Sequence, residues 1–250
     1  DGFLAGGDER RAQEFNQVLR DPEVRCIWAA RGGYGCSRIA SDLDGAAFSA
    51  DPVPIVGFSD ITVLLCWAAT LGFRSIHAPV LTQFAELGGA DQEWLLDMLQ
   101  GRAGPVLAKG LVGALEPAEG ALLGGNLSLL AHLCGTPWAP NYRGSLCIVE
   151  DVGERPYAID RYLQQLLCQS DGNGHASAAA VLLGEFDTCV EPRDESQDAI
   201  EVAAARLRSH MLQCATGLPI GHGRLNRAFP FGGRARLEGD ALHLLEAAVE

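Results

Sequence analysis

The sequence predicts an α/β protein with parallel sheets, because short apolar runs alternate along the chain with segments of helical periodicity. Residues 24–30 and 53–58 are apolar runs of strand length, and each is followed by a turn and a helical pattern. A stretch rich in glycine and proline at 101–120 interrupts the alternation and predicts a connection between domains. We expect an N-terminal α/β domain over 1–104, a linker over 105–119 and a C-terminal domain over 120–250.

Helix caps and apolar periodicity place the elements of the N-terminal half. Asp8 is a residue type that caps a first helix, and Asp21-Pro22 is a pair that ends one. After Ser59, apolar residues recur at spacings of three and four, as they do on one face of a helix. The predicted elements are a helix over 8–19, a strand over 24–30, a glycine loop over 31–35, a strand over 53–58 and a helix over 60–71.

The C-terminal half continues the alternation of strands and helices. Gly124-Gly125-Asn126 leads into an apolar helix, and Glu150-Asp151 stands at the end of an apolar strand. The predicted elements are a helix after Asn126, a strand over 145–149, a helix containing 159–166, a loop over 170–174, a strand over 179–183 closed by Gly184, and strands over 218–220 and 241–245.

Composition and charge narrow the class of ligand. The chain has 250 residues, 48% hydrophobic and 20% charged, and no apolar stretch reaches the length of about 18 residues that a membrane span needs. A net charge of −13 repels nucleic acid and anionic lipid, so we expect a small molecule or a peptide as the ligand. Eight scattered cysteines, without a C-x-x-C pair, predict free thiols in a reducing compartment and therefore a cytoplasmic location.

Ser59 lies where an apolar strand gives way to a helical pattern. Such a turn lifts a side chain above the sheet edge and points the free N–H groups of the first helical turn at a bound group. Those N–H groups can stabilise an oxyanion, which makes Ser59 a candidate nucleophile. The alternative is that Ser59-Asp60 only caps the helix.

The loop Arg31-Gly32-Gly33-Tyr34-Gly35 lies at the same predicted sheet edge. Its glycines let backbone N–H groups approach an anion, with Arg31 as the opposite charge. The loop has neither the G-x-G-x-x-G spacing nor the lysine of a P-loop, so nothing favours a nucleotide over an oxyanion or a carboxylate. A tight turn with a surface arginine is the alternative.

An acid and a histidine complete the candidate chemistry. His222 lies between two glycines after an apolar segment, where little bulk limits access to its ring. Glu150 or Asp151, at a strand end, could orient that imidazole, and position alone does not separate the two. The other five histidines have no ligand spacing to one another, so we expect no metal site.

Together these segments resemble the serine LD-carboxypeptidase family, the muramoyltetrapeptide carboxypeptidases, which also includes the microcin C immunity peptidases. The resemblance runs nearly end to end. The segments that carry it are Leu4–Arg11 (LAGGDERR), Arg31–Gly35 (RGGYG), Gly57–Asp60 (GFSD), Gly124–Leu127 (GGNL), Glu150–Tyr157 (EDVGERPY) with Ile159-Asp160-Arg161, and Gly221–Gly223 (GHG).

The resemblance implies how the site is built. Its Ser–His–Glu triad corresponds to Ser59, His222 and Glu150, which decides between the two acids. Its oxyanion hole of backbone N–H groups corresponds to Asp60 and to Gly32 and Gly33. The implied substrate contacts are Arg31, Tyr34 and Asn126.

The resemblance also implies a fold, a substrate and an assembly. We expect a flavodoxin-like N-terminal domain, a smaller C-terminal α/β domain, the site between them, and a homodimer. Family substrates are murein peptides, cut between the L-centre of a diamino acid and a terminal D-alanine during cell-wall recycling, without a cofactor. Family members begin with another strand and helix before Leu4, so we expect at least one βα unit, about 30 residues, to be absent from this sequence.

Two other functions are compatible with the residues. A microcin C immunity peptidase would cleave an acyl-adenylate conjugate, although the segment 150–161 is nearer the murein type. A non-catalytic α/β binding protein would use Ser59-Asp60 only as a cap and Arg31 to hold an anion.

Overall fold

The structure, a computed structural model, describes residues 2–113, 115–169, 177–192 and 197–249, so the predicted loop at 170–174 lies outside the described residues. The strands are β1 (Ile27–Trp28), β2 (Ile55–Gly57), β3 (Ser75–His77), β4 (Val106–Ala108), β5 (Ala118–Asn126), β6 (Leu146–Val152), β7 (Ala180–Asp187), β8 (Cys214–Ala215), β9 (Phe229–Phe231), β10 (Arg234–Glu238) and β11 (Ala241–Leu244). The helices are α1 (Asp8–Leu19), α2 (Cys36–Ile39), α3 (Gly45–Ala50), α4 (Thr62–Thr70), α5 (Gly89–Leu99), α6 (Leu127–Leu133), α7 (Pro156–Leu167) and α8 (Ala199–Ser209), and short 3₁₀ helices lie at Ala40–Asp42, Ser59–Ile61 and Leu81–Glu86.

Two sheets carry the fold. The first has the order β1-β2-β3-β9, in which β1, β2 and β3 are parallel and β9 is antiparallel to β3. The second has the order β4-β11-β10-β5-β6-β7-β8, with a parallel half from β5 to β8 and an antiparallel half from β4 to β5. The predicted α/β class with parallel strands is therefore confirmed.

The parallel strands bring the candidate site residues to strand ends. Helices α6, α7 and α8 each follow a parallel strand of the second sheet, and α4 follows β2 in the first. Ligands of such sheets bind beyond the carboxyl ends of the strands. Ser59 lies two residues after the end of β2, and Glu150 lies near the end of β6 opposite Asn126 of β5.

Helix α4 connects the two sheets. Its residues from Thr62 to Ala68 are all buried, and the helix contacts β2 and β3 of the first sheet as well as β5 of the second. A helix that is apolar on all sides is one that must be covered on all sides. The turn that carries Ser59 is therefore attached to an element fixed by both sheets.

Two features of the sheets bear on the predicted division into domains. The segment 105–119, predicted as a linker, contains β4 and the first residues of β5, both in the second sheet. After β8 of the second sheet, the chain forms β9, which pairs with β3 of the first sheet. The chain thus returns to its N-terminal sheet, which short-range patterns do not reveal.

Several strands differ in length from their predictions. The strand predicted over 24–30 is reduced to β1, which pairs only with β2 at the sheet edge. Strand β7 continues through Gly184 to Asp187, because it pairs along its length with β6. The predicted strand over 218–220 is absent, although Leu218 N donates to Leu183 O at 3.4 Å and Ile220 O accepts from Glu185 N at 2.8 Å, so the segment still lies against β7. No helix of the described chain is long and apolar enough to cross a lipid bilayer.

Candidate active site

Ser59 occupies a strained turn. Its φ angle is +60°, a left-handed conformation that is uncommon for residues other than glycine. Such a conformation costs on the order of 1–3 kcal/mol and persists only where the surrounding structure fixes it. Phe58 holds the N-cap position of the 3₁₀ helix, and no side chain caps that helix or α4. The capping interpretation of Ser59 therefore has no hydrogen bond to support it.

Glu150 and His222 form a short ion pair. His222 Nδ1 lies 2.6 Å from Glu150 Oε2, and the Glu150 side chain is fully buried while that of His222 is 14% exposed. Burial opposes protonation of His222, but the hydrogen bond and charge of Glu150 outweigh it, so the pKa of His222 is raised above its ordinary value. The carboxylate thus holds the imidazole through Nδ1 and favours its protonated form.

Asp151, the other candidate acid, has different partners. Its Oδ1 accepts hydrogen bonds from Asn126 Nδ2 at 3.0 Å and Val152 N at 2.9 Å, and its Oδ2 accepts one from Ser128 N at 2.9 Å. Burial and the charge of Glu150 raise the pKa of Asp151 to about 7, against the effect of these hydrogen bonds. Asp151 supports α6 and the strand end, whereas Glu150 contacts the imidazole.

A cavity of about 540 Å³ brings five of the predicted site residues together: Arg31, Gly32, Gly33, Ser59 and His222. Ser59 and His222 form no hydrogen bond to each other in the part of the chain that the structure describes. The ring of Phe58 lies 4.6 Å from that of His222, centroid to centroid, and fixes one face of the imidazole. The shared cavity thus holds a hydroxyl, an imidazole, a guanidinium and a glycine loop around one space.

Sequence reasoning missed one wall of this cavity. Thr82, Gln83 and Glu86, from the 3₁₀ helix Leu81–Glu86, line it, and Gln83 and Glu86 also line an adjoining cavity of about 720 Å³. No motif in the sequence marks these residues. Phe58 was also missed, although an aromatic residue directly before the candidate serine is a signal that could have found it.

The glycine loop lies against Ser59. A Cβ atom at Gly32 would stand 3.0 Å from Ser59 Cβ and 3.1 Å from Ser59 Oγ, so a larger residue there would press on the Ser59 side chain. The loop is held at its far end, where Arg11 donates to Gly35 O at 3.2 Å and Asp60 Oδ2 accepts from Cys36 N at 3.0 Å. The loop is therefore positioned to present backbone groups beside the hydroxyl.

Two predicted substrate contacts lie outside the cavity. Tyr34 is half-exposed and packs against Phe3, with 5.8 Å between ring centroids. Asn126 is 5% exposed and its side chain is engaged within the protein, because it caps α6 through Leu129 N, accepts from Ser128 Oγ and donates to Asp151. The Asn126 amide thus has partners within the protein, and its contact with a substrate stays a prediction.

The described residues offer no group of three or more histidine, cysteine or acidic side chains that could hold a metal ion. Ser59, His222 and Glu150 supply groups for acid–base and nucleophilic chemistry.

The fold and the site define an α/β protein with a hydrolase-type pairing of acid and imidazole beside a serine. Two family models match the chain, the LD-carboxypeptidase N-terminal domain over residues 1–78 and the LD-carboxypeptidase C-terminal domain over residues 119–237. The murein tetrapeptide carboxypeptidase of Pseudomonas aeruginosa is 36% identical over 255 residues, which cover 96% of this chain and 81% of that protein. The chain belongs to the LD-carboxypeptidase family and is a peptidase with a carboxypeptidase role.

Solved structures share the fold. The muramoyltetrapeptide carboxypeptidase of Oxalobacter formigenes superposes with a TM-score of 0.78 at 30% identity, covering 96% of this chain and 85% of that one. The protein MccF, in complex with glutamyl sulfamoyl guanosine, superposes with a TM-score of 0.84 at 21% identity, covering 100% and 84%. At the lower identity the likeness concerns the fold alone.

Proposed function

We propose that this protein is a serine LD-carboxypeptidase that removes the terminal D-alanine from murein tetrapeptides. The observation that carries the proposal is the 2.6 Å hydrogen bond between Glu150 and His222, beside the cavity that Ser59 lines. The murein tetrapeptide carboxypeptidase relative supports the choice of substrate.

In the proposed mechanism His222 is the general base. Because Glu150 holds Nδ1, the free Nε2 accepts the proton of the Ser59 hydroxyl as Oγ attacks the carbonyl carbon before D-alanine. Protonated His222, stabilised by Glu150, then donates that proton to the leaving amine. Water, deprotonated in turn by His222, attacks the acyl-enzyme, and His222 returns that proton to Ser59 Oγ as the acyl–Oγ bond breaks. The Ser59–His222 hydrogen bond forms when substrate closes the site, as catalytic contacts often do.

Backbone N–H groups stabilise the tetrahedral intermediate in this proposal. The proposed donors are those of Gly32, Gly33 and Asp60, and the close approach of Gly32 to Ser59 supports their role. One such donor is worth about 10²–10³ in kcat.

Arg31 is the proposed partner of the substrate's terminal carboxylate. A carboxypeptidase has to recognise a free carboxylate next to the scissile bond, and a guanidinium can bind it with two parallel hydrogen bonds. Arg31 lines the same cavity as Ser59, which supports this assignment.

The proposal is tested by the turnover of a murein tetrapeptide, measured as the release of D-alanine. We expect Ser59→Ala to lower kcat by at least about 10³-fold without a change in folding, because the nucleophile is lost. A fluorophosphonate should label the wild type at Ser59 and leave His222→Ala unlabelled. Full activity of Ser59→Ala would refute the assignment, and a large preference of the wild type for an acyl-adenylate conjugate would refute the substrate.

We also propose a cytoplasmic location and a homodimer. Six cysteines are free thiols, which supports a reducing compartment: Cys26, Cys36, Cys66, Cys168, Cys189 and Cys214. The homodimer rests on the family resemblance, and light scattering of the purified chain tests it.

A further inference from the structure

Charged side chains hold both polar ends of the peptide group between Gly35 and Cys36. Its carbonyl oxygen accepts hydrogen bonds from Arg11 Nη1 and Nη2, each at 3.2 Å. Its N–H donates to Asp60 Oδ2 at 3.0 Å. A cation therefore fixes one end of the peptide dipole and an anion fixes the other, and both hydrogen bonds are of the stronger, charge-assisted kind.

The cationic end of this contact is itself anchored. The Arg11 side chain is 14% exposed and pairs with Asp8 at 2.6 Å, while Asp8 also pairs with Arg38. Hydrogen bonds from Arg38 and Arg11 lower the pKa of Asp8 to about 2, so Asp8 stays charged. Gly35 has φ +122°, and a Cβ there would stand 3.0 Å from both terminal nitrogens of Arg11. The guanidinium is thus seated directly on the glycine loop.

The anionic end is part of the turn that carries the candidate nucleophile. Asp60 follows Ser59 in the chain and is 5% exposed, and its Oδ1 is buried without a hydrogen-bond partner. A buried carboxylate with an unsatisfied oxygen is costly to keep. The carboxylate accepts from Cys36 N and also contacts the Cys36 thiol, and these contacts join the Ser59 turn to the glycine loop.

We propose that Asp60 and Arg11 are positioning residues, which together clamp the Gly35–Cys36 peptide and hold the N–H groups of Gly32 and Gly33 against Ser59. This inference rests on the proposed function, since the clamp is proposed to maintain the geometry of the oxyanion hole. The hole acts on the transition state and not on the bound substrate, so loss of the clamp lowers kcat and leaves KM nearly unchanged.

Steady-state kinetics on a murein tetrapeptide, together with hydrogen–deuterium exchange of residues 31–38, tests the clamp in the full chain. We expect Asp60→Ala to lower kcat about 10²-fold, to change KM less than about threefold and to speed exchange in the loop. Asp60→Asn keeps an oxygen that accepts from Cys36 N–H, so its kcat should be at least about tenfold higher than that of Asp60→Ala. Arg11→Ala should resemble Asp60→Ala, and the double variant should lose little more than either one, because both act on one peptide group.

Asp198→Ala is the matched control. Asp198 caps α8 by accepting from Ile200 N and Glu201 N, so this variant loses a helix-capping aspartate without touching the glycine loop. Its kcat should stay within about twofold of the wild type.

The outcomes separate the clamp from the proposed function. A kcat of Asp60→Ala equal to that of the wild type would overturn the clamp. If Asp60→Ala does not fold, a wild-type kcat of Arg11→Ala would overturn it instead. A loss of kcat with unchanged loop exchange and no recovery in Asp60→Asn would overturn it as well. A wild type that neither turns over the tetrapeptide nor labels at Ser59 would refute the proposed function. In that case faster exchange in Asp60→Ala would still support the clamp, and unchanged exchange would refute it.

Discussion

The imidazole of His222 is subject to two opposing effects. Burial favours its neutral form, whereas Glu150, with smaller contributions from Asp151 and Asp187, favours the protonated form and raises its pKa. A general base has to be neutral before it takes a proton, so activity should rise as the pH rises through this pKa. The stability that the Glu150–His222 pair gives the fold depends on pH in the opposite direction. It is complete below the unfolded-state pKa of about 6.5 and is lost as the pH rises through the folded-state pKa.

Glu150→Gln should therefore change the pH profile as well as the rate. Without the carboxylate, burial dominates and the pKa of His222 falls, so the acidic limb of kcat/KM should move to lower pH by about one unit or more. The value of kcat should fall about 10²–10⁴-fold, because the imidazolium loses its partner. Rates measured from pH 5 to 9 check this, with Asp151→Asn as a comparison whose limb should move less. An acidic limb that does not move would contradict the assigned pair.

At the level of single residues, the sequence predicts which side chains can take part in chemistry better than it predicts the contacts that hold them. Ser59, Arg31 and His222 could be found because each stands at the end of an apolar segment. Glu150 and Asp151 could not be separated by position, since the choice depends on a shift in register between Val149 and Asp151 against β7 and on the partner found by Asn126. The contact of Arg11 with Gly35 spans 24 residues of chain, and no local pattern encodes it.

Helix α4 shows how an element transmits geometry between the sheets. Thr62, in its first turn, accepts a hydrogen bond from Asn126 N at 3.2 Å, and Asn126 in turn holds Asp151 next to Glu150. The Ser59 turn and the Glu150 strand are thus joined through buried hydrogen bonds. Periodicity predicted the helix itself, but strand limits depend on the neighbouring strand, which is why β1 and β7 differ from their predicted lengths.

Thr62→Val should weaken this junction. Valine has nearly the shape of threonine but leaves the buried Asn126 N–H without an acceptor, which should lower the free energy of unfolding by about 1–3 kcal/mol. Urea denaturation at pH 7 measures the change, and Thr62→Ser, which retains the hydroxyl, should keep most of the stability. Equal stability of Thr62→Val and wild type would show that the hydrogen bond contributes nothing.

On the scale of the whole molecule, His77 connects the first sheet, whose strand β2 leads to Ser59, to the segment that carries His222. On β3 it stacks on Phe229 of β9 with 4.6 Å between centroids, and its Nε2 lies 3.3 Å from Asn226 Oδ1. Burial lowers the pKa of His77 to about 3, so it is neutral in the folded protein at pH 7. Its unfolded-state pKa is about 6.5, and therefore protonation favours the unfolded chain once the pH falls below that value.

We expect His77 to contribute a large share of the acid sensitivity of the fold. Between pH 6 and pH 4 this one group should reduce the free energy of unfolding by about 1.4 kcal/mol per pH unit. His77→Gln keeps a group that can reach Asn226 but cannot titrate, so its stability should fall less over this range. Urea denaturation of both proteins at pH 7, 5 and 4 gives the difference, and parallel losses would contradict the role of His77.

The return of β9 to the first sheet has a consequence for biosynthesis. A ribosome releases the chain from the N-terminus, and domains generally fold as units during synthesis. Here the N-terminal sheet lacks its last strand until residues 229–231 have emerged, and His222 precedes that strand by only a few residues. Ser59 and His222 therefore come together only after residues 229–231 have been made, so a nascent polypeptide that ends before them carries the serine without an imidazole held beside it.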